Sequence, residues 1–130
     1  MIESVDEFIR LRTSELQEEY QRAAREPAPL AVWHALVDDH PDMRFWVAQN
    51  KTVPLDVLAR LARDEDARVR AMVAMKRKLP QDLQRLLAVD PDASVRNSLV
   101  RNAKVDPDVL ATLAAGTDWV AARAKERLSG

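Results

Sequence analysis

The stretch that decides the fold is PLDVLARLARDEDARVRAMVAMKRKL, residues 54–79. Its first half places Leu55, Leu58 and Leu61 at three-residue spacing, which is typical of an amphipathic helix. Its second half, from Val69 onward, repeats the apolar spacing of a helix. The stretch therefore predicts two short helices. Because so short a pair cannot bury its apolar stripe alone, we expect neighbouring pairs to stack against one another.

The same chemical pattern recurs along the chain with a period of 26 residues. The aligned columns are Asp38, Asp64 and Asp90; Arg44, Arg70 and Arg96; Val47, Val73 and Leu99; and Leu61, Leu87 and Leu113. We therefore expect one all-α domain, 1–130, with an N-terminal helical cap at 1–27. The predicted helix-pair repeats are 28–53, 54–79, 80–105 and an atypical, capping repeat at 106–130.

Prolines and capping residues mark the predicted helix boundaries. All seven prolines fall at proposed helix starts or connections. One aspartate column is expected to cap the second helices, because a carboxylate there accepts from free amides of the first turn; its members are Asp66, Asp92 and Asp118. In the N-terminal cap, Ser4 and Ser14 each begin a capping-box spacing and so predict two helices. Their expected apolar contacts are Val5, Phe8, Ile9, Leu16 and Tyr20.

These columns resemble bacterial HEAT-like repeats and the related leucine-rich-repeat-variant family over residues 28–115. The most specific shared element is an Asp followed six residues later by an Arg that an aliphatic residue precedes. The resemblance implies a short right-handed α-solenoid. In it the Asp–Arg columns form a structural ladder between repeats, carried here by Asp38, Arg44, Asp64, Arg70, Asp90 and Arg96. The last repeat departs from the pattern, since Gly116 and Ala122 fill the ladder columns. Terminal repeats differ in this way because their outer face meets water.

Composition limits the function classes. The formal net charge is -1, so binding to nucleic acid or anionic lipid requires cations gathered on one face. The chain has no cysteine, and its two histidines, His34 and His40, lack the spacing of paired helical metal ligands. We therefore expect no catalytic residue, no metal and no cofactor, and hence a protein that is not an enzyme. The sequence MIESVDEFIR lacks a signal-peptide pattern, which favours a cytoplasmic protein without a membrane span.

The connections that follow the second helices form a basic edge. Bases at helix C-termini match the helix dipole, so this edge has either that structural role or a recognition role. We favour recognition of a partner protein or peptide by a monomer, as in an adaptor or immunity-type protein; the alternative is nucleic-acid binding through the Lys and Arg side chains. The predicted concave face and basic edge comprise Phe45, Gln49, Asn50, Lys51, Met75, Lys76, Arg77, Lys78, Arg101, Asn102 and Lys104. Of these, Phe45 is the predicted exposed aromatic anchor.

Overall fold

A computed structural model describes all 130 residues. The chain is all-helical and contains no strand, which confirms the all-α part of the predicted fold class. Pro41–Met43 forms a single 3-10 turn. The α-helices are α1 (Val5–Thr13), α2 (Gln17–Arg25), α3 (Leu30–Asp39), α4 (Arg44–Gln49), α5 (Leu55–Leu61), α6 (Ala67–Ala74), α7 (Gln81–Ala88), α8 (Ala93–Arg101), α9 (Pro107–Ala114) and α10 (Trp119–Ser129).

The helices gather into two compact units, Met1–Leu61 (unit 1) and Ala62–Gly130 (unit 2). We expected a single domain divided at repeat boundaries. The division between the units instead falls inside the predicted repeat 54–79, after its first helix, α5. Each unit has its own buried apolar residues and is described separately below.

In unit 1, helices that alternate along the chain pack together: α1 on α3, and α2 on α4. The core is organised by two buried aromatic rings, Phe8 of α1 and Trp33 of α3, whose centroids lie 5.6 Å apart in an edge-to-face arrangement. Ile2 is also fully buried, and its N–H donates to the carbonyl of Pro27 at 2.9 Å. This hydrogen bond joins the start of the chain to the segment that follows α2.

Unit 2 repeats this alternation, since α6 packs on α8, α8 on α10, and α7 on α9. The core side chains of α6 and α8 lie one turn apart on each helix: Val69 and Val73 on α6, and Val95 and Leu99 on α8. This spacing is the apolar stripe that the sequence repeats every 26 residues.

The predicted aspartate caps of the second helices are confirmed. Asp66 accepts from the N–H of Arg68 at 2.8 Å, Asp92 from Ser94 at 2.8 Å, and Asp118 from Ala121 at 3.0 Å. Each side chain thereby satisfies one of the amides that the first turn of a helix leaves without a backbone partner.

In the N-terminal segment one of the two predicted caps is correct. Ser4 accepts from the N–H of Glu7 at 3.0 Å and begins α1. Ser14 does not cap α2, because its hydroxyl accepts from Leu16 N–H and donates to Glu19, which delays the helix to Gln17. Leu16 is consequently 57% exposed, and Tyr20 is also exposed, so the expected burial of these two side chains was wrong.

The longest helix, α10, has 11 residues, and none of the helices combines the length and apolarity that a membrane crossing requires.

Candidate functional site

The starts of α6, α8 and α10 carry an acidic margin, defined by Asp66, Asp90, Asp92 and Asp118 of unit 2. All four carboxylates are bonded within the unit. Asp66, Asp92 and Asp118 are the helix caps, and Asp118 also pairs with Arg96 at 2.6 Å. Asp90 accepts from the N–H of Asp92 at 2.9 Å and pairs with Arg70 at 2.8 Å. The negative charge of this margin is therefore used by the fold itself.

Three carboxylates of the acidic margin, those of Asp66, Asp92 and Asp118, are held in the ionised form by their bonds. Hydrogen bonds from the Arg68 side chain and backbone lower the pKa of Asp66. The hydroxyl and N–H of Ser94 lower the pKa of Asp92, and the N–H of Ala121 followed by Arg96 lowers the pKa of Asp118. All three shifts favour the charged form, so these caps stay anionic well below neutral pH.

Two of the predicted ladder columns meet in the Arg70–Asp90 ion pair, in which Arg70 Nε lies 2.8 Å and Nη2 3.2 Å from the two carboxylate oxygens. Asp90 is only 8% exposed, and its hydrogen bonds with Arg70, followed by its charge, raise the pKa of that guanidinium. Arg70 Nη1 also donates to the carbonyl of Asp64, and Arg96 Nε donates likewise to the carbonyl of Asp90. Each arginine thus ties the turn before its own helix to that helix.

In unit 1 the predicted ladder residues Arg44 and Asp38 make different kinds of bond. Arg44 Nε donates to the carbonyl of Val37 at 2.7 Å, which resembles the bonds of Arg70 and Arg96. Asp38, however, is an exposed residue whose carboxylate pairs with Arg60 at 2.5 Å. Asp38 therefore lies on the surface of α3 and pairs with an arginine of α5 that is outside the predicted ladder columns.

Asn50 and Asn102 are buried clamps, which corrects their assignment to the partner-binding surface. They are 0% and 1% exposed, so neither side chain is available to a partner. Asn50 Nδ2 donates to the carbonyls of Ala23 and Glu26 at 2.7 and 3.0 Å. Asn102 Nδ2 makes the equivalent bonds to Ala74 and Lys76 at 2.8 and 2.9 Å.

The clamp explains why two distant connections of unit 2 lie side by side. Asn102 follows α8 directly, and the carbonyls it binds belong to the end of α6 and the residues after it. At the other end of these helices, Arg70 and Asp90 are paired. Helices α6 and α8 are therefore parallel, with their C-terminal ends adjacent. Eight residues of α6 place this edge about 12 Å from the acidic margin.

This second edge carries a cationic margin, defined by Arg77, Lys78, Arg101 and Lys104. All four residues are exposed, and none of their side chains forms an ion pair or a hydrogen bond within the chain. Arg127 of α10 has a different role, since its guanidinium donates to the carbonyls of Val100, Asn102 and Ala103. It thereby satisfies acceptors that the end of α8 leaves free.

The remaining predicted partner-binding residues differ in accessibility. Lys51 is exposed in unit 1, and Met75 is 37% exposed in unit 2, where Lys76 is partly buried. Phe45 is not a fully exposed anchor, because it is partly buried with its ring edge-on to Trp46, at a centroid distance of 4.9 Å. Gln49 lies partly buried at the end of α4 and lines a groove.

That groove was not predicted from the sequence. It has a volume of about 480 Å³ and lies entirely in unit 1, lined by Arg12, Ser14, Tyr20, Gln21, Ala24 and Gln49. The guanidinium carbon of Arg12 lies 3.3 Å from the centroid of the Trp46 ring. Nothing in the spacing of the sequence connects Arg12 with Trp46, since Arg12 precedes the 26-residue repeats.

The two histidines, His34 and His40, are both partly buried in unit 1. His34 Nδ1 lies 2.8 Å from Arg60 Nη1, and His34 Nε2 lies 3.5 Å from Asp56. No group of three or more His, Asp or Glu side chains is arranged to hold a metal ion. What the arrangement offers chemically is cation-based recognition of anions, at the cationic margin and at Arg12.

Comparisons with protein-family models, with curated proteins and with solved structures found no match to this chain.

Proposed function

We propose that this chain is a non-catalytic interaction module that binds an acidic partner protein through its cationic margin. One asymmetry carries the proposal: the four carboxylates of the acidic margin are all bonded inside unit 2, whereas the four cations at the opposite ends of the helices are not. Matching the helix dipole accounts for a single base in a last turn, but it does not require four exposed bases on two adjacent connections.

The backbone beneath the cationic margin is held rigidly. Asn102 binds two carbonyls of the first connection, and its own Oδ1 accepts from the N–H of Lys104 at 2.8 Å. The buried Gln84 adds a second link, because it donates to the carbonyl of Leu79 and accepts from Asp106 N–H. A surface whose backbone is already ordered loses less conformational entropy on binding, which favours affinity.

The proposal extends to the architecture that presents this surface. We propose that the helix pairs stack as a HEAT-like right-handed solenoid, with the second helices forming one face. The alternating packing within each unit supports this arrangement, as do the similar backbone bonds of Arg44, Arg70 and Arg96. Met75, exposed on the same connection as Arg77 and Lys78, supplies an adaptable apolar contact beside the charges.

The test is partner capture from the native cell with a charge-neutralised variant. Arg77, Lys78, Arg101 and Lys104 are changed together to Gln. The matched control carries the same loss of charge at four other exposed bases, Arg63→Gln, Arg85→Gln, Arg123→Gln and Lys125→Gln. We expect a protein that wild type and the control both retain, and that the cationic-margin variant loses. Equal recovery by the two variants would contradict the proposal.

Nucleic-acid binding is the second candidate, because four unpaired cations on one edge also fit phosphates. Treating the lysate with nuclease separates the two functions, since a protein held through RNA or DNA is lost after digestion. Titration of purified protein with duplex and single-stranded oligonucleotides across salt gives an independent answer. If all four cations contact phosphates of a duplex, the logarithm of the binding constant falls with the logarithm of salt with a slope of about -3.6.

A further inference from the structure

The groove of unit 1 contains a cation that the chain itself leaves without an anion. Arg12 lines this groove, and its guanidinium makes no ion pair and no hydrogen bond within the chain. Its Nε is buried and has no hydrogen-bond partner. Because Nε is covered, an anion from outside the chain would meet this guanidinium through Nη1 and Nη2, which also have no bond within the chain.

The surroundings hold Arg12 in place without neutralising it. The Trp46 ring lies beneath the guanidinium at 3.3 Å, a cation–π contact that fixes the plane of the charged group and leaves its charge intact. Phe45 in turn supports Trp46 edge-on at 4.9 Å. Ser14 of the groove donates to the carboxylate of Glu19, which is already paired with Arg10 at 2.7 Å.

The other lining residues suit a peptide. The Gln21 amide oxygen accepts from Arg25 Nη2 at 2.7 Å, which leaves its amide N–H groups to donate to a carbonyl of a peptide backbone. Tyr20 contributes an exposed aromatic wall. None of the lining residues carries a negative charge, and a planar guanidinium binds a carboxylate with two parallel hydrogen bonds.

We propose that this groove binds a short acidic peptide segment, with Arg12 receiving an Asp or Glu side-chain carboxylate and Tyr20 contacting an adjacent apolar side chain. Arg12 then selects peptides that carry a negative charge, and Trp46 positions Arg12. The proposal stands on the geometry of unit 1 and does not depend on the cationic margin.

The experiment uses the full chain and two dipeptides that differ only in charge. N-acetyl-glutamyl-phenylalanine amide carries the carboxylate, and N-acetyl-glutaminyl-phenylalanine amide is its neutral analogue. Binding is followed by NMR through the indole N–H of Trp46, assigned with Trp46→Phe, and through the Nε–H of Arg12. We expect a saturable shift of both signals with the charged peptide, and an affinity for the neutral peptide that is lower by about tenfold or more.

Variants of Arg12 test the same contact from the side of the protein. Arg12→Gln should weaken the charged peptide by about tenfold, and Arg12→Lys should weaken it less, because lysine keeps the charge but lacks the planar fork. Arg85→Gln, an equal loss of charge on α7, should bind as wild type does. Thermal unfolding checks that each variant is folded. If Arg12→Gln does not fold, the proposal is tested by the affinities of the wild-type chain for the charged and the neutral dipeptide.

Three results would overturn the proposal: no saturable shift of the Trp46 signal, equal affinity for the two dipeptides, or inorganic phosphate binding at Arg12 as tightly as the charged peptide. The variant lacking the four cations of the cationic margin is titrated in parallel. It should bind the dipeptide as wild type does, so loss of partner capture and loss of the groove site remain distinguishable.

Discussion

The two margins of unit 2 lie at opposite ends of the same helices and differ in how their charges are used. At the acidic margin, Asp90 pairs with Arg70 and Asp118 with Arg96, while Asp66 and Asp92 cap helices. At the cationic margin the fold is held by uncharged Asn102 and by Arg127, and the four exposed cations are left unpaired. A formal net charge of -1 therefore conceals one margin whose charges are bonded within the fold and another whose charges are not.

The largest expected effect lies at the acidic margin. Arg70→Ala removes the cation from Asp90, which stays buried with its charge, and we expect the free energy of unfolding to fall by about 3 kcal/mol. Arg77→Ala, the matched change at the cationic margin, should alter it by less than about 0.5 kcal/mol. Urea unfolding of both variants measures the difference. Equal losses would mean that the two margins do not differ in their use of charge.

The clamp beneath the cationic margin predicts the next largest effect. Asn102→Ala leaves the carbonyls of Ala74 and Lys76 without their side-chain donor in a buried place, and should cost about 2 kcal/mol. Lys104→Ala, two residues further along the same connection, should cost less than about 0.5 kcal/mol. Urea unfolding of both variants measures the difference, and equal stability of the two would contradict the role of Asn102 as a clamp.

Asn102 also shows where sequence reasoning succeeds and where it stops. The 26-residue period and the positions of the prolines predict the helices and their caps, because caps and amphipathic stripes are local properties. A polar residue after a helix, however, has no local signal that separates a buried clamp from an exposed contact. The available signal was the recurrence of Asn50 and Asn102 two periods apart, which points to structure rather than to recognition. The stacking of Arg12 on Trp46 could not be predicted from the sequence, because these two residues meet only in the folded chain.

Acid should weaken the acidic margin in a defined pH range. The pKa values of Asp66, Asp92 and Asp118 are lowered in the folded chain, whereas an aspartate in the unfolded chain titrates near about 3.9. Their contribution is fully present above that value and is lost as the pH falls through the lower pKa values of the folded state. We expect stability to decline below about pH 4.

Asp92→Asn tests this acid dependence, because asparagine keeps a capping oxygen but cannot be protonated in this range. Thermal unfolding measured as the pH is lowered should show a shallower decline for the variant than for wild type. The change Asp82→Asn serves as the control, since Asp82 is an exposed residue of the first turn of α7 whose side chain accepts no capping bond. If the thermal stability of Asp92→Asn and of wild type declined equally with falling pH, the acid dependence would not come from the Asp92 carboxylate.

The smallest expected effect is the one that tests the cationic margin most directly. Arg101 ends α8, where its charge matches the helix dipole but is repelled by Lys104, Arg77 and Lys78 nearby, so the two contributions oppose each other. Arg101→Gln should therefore change the free energy of unfolding by less than about 0.5 kcal/mol. Arg127→Gln removes bonds to three carbonyls and should cost about 1 kcal/mol. If Arg101→Gln costs as much as Arg127→Gln, the charge of Arg101 is used by the fold, and the cationic margin is no more available to a partner than the acidic margin is.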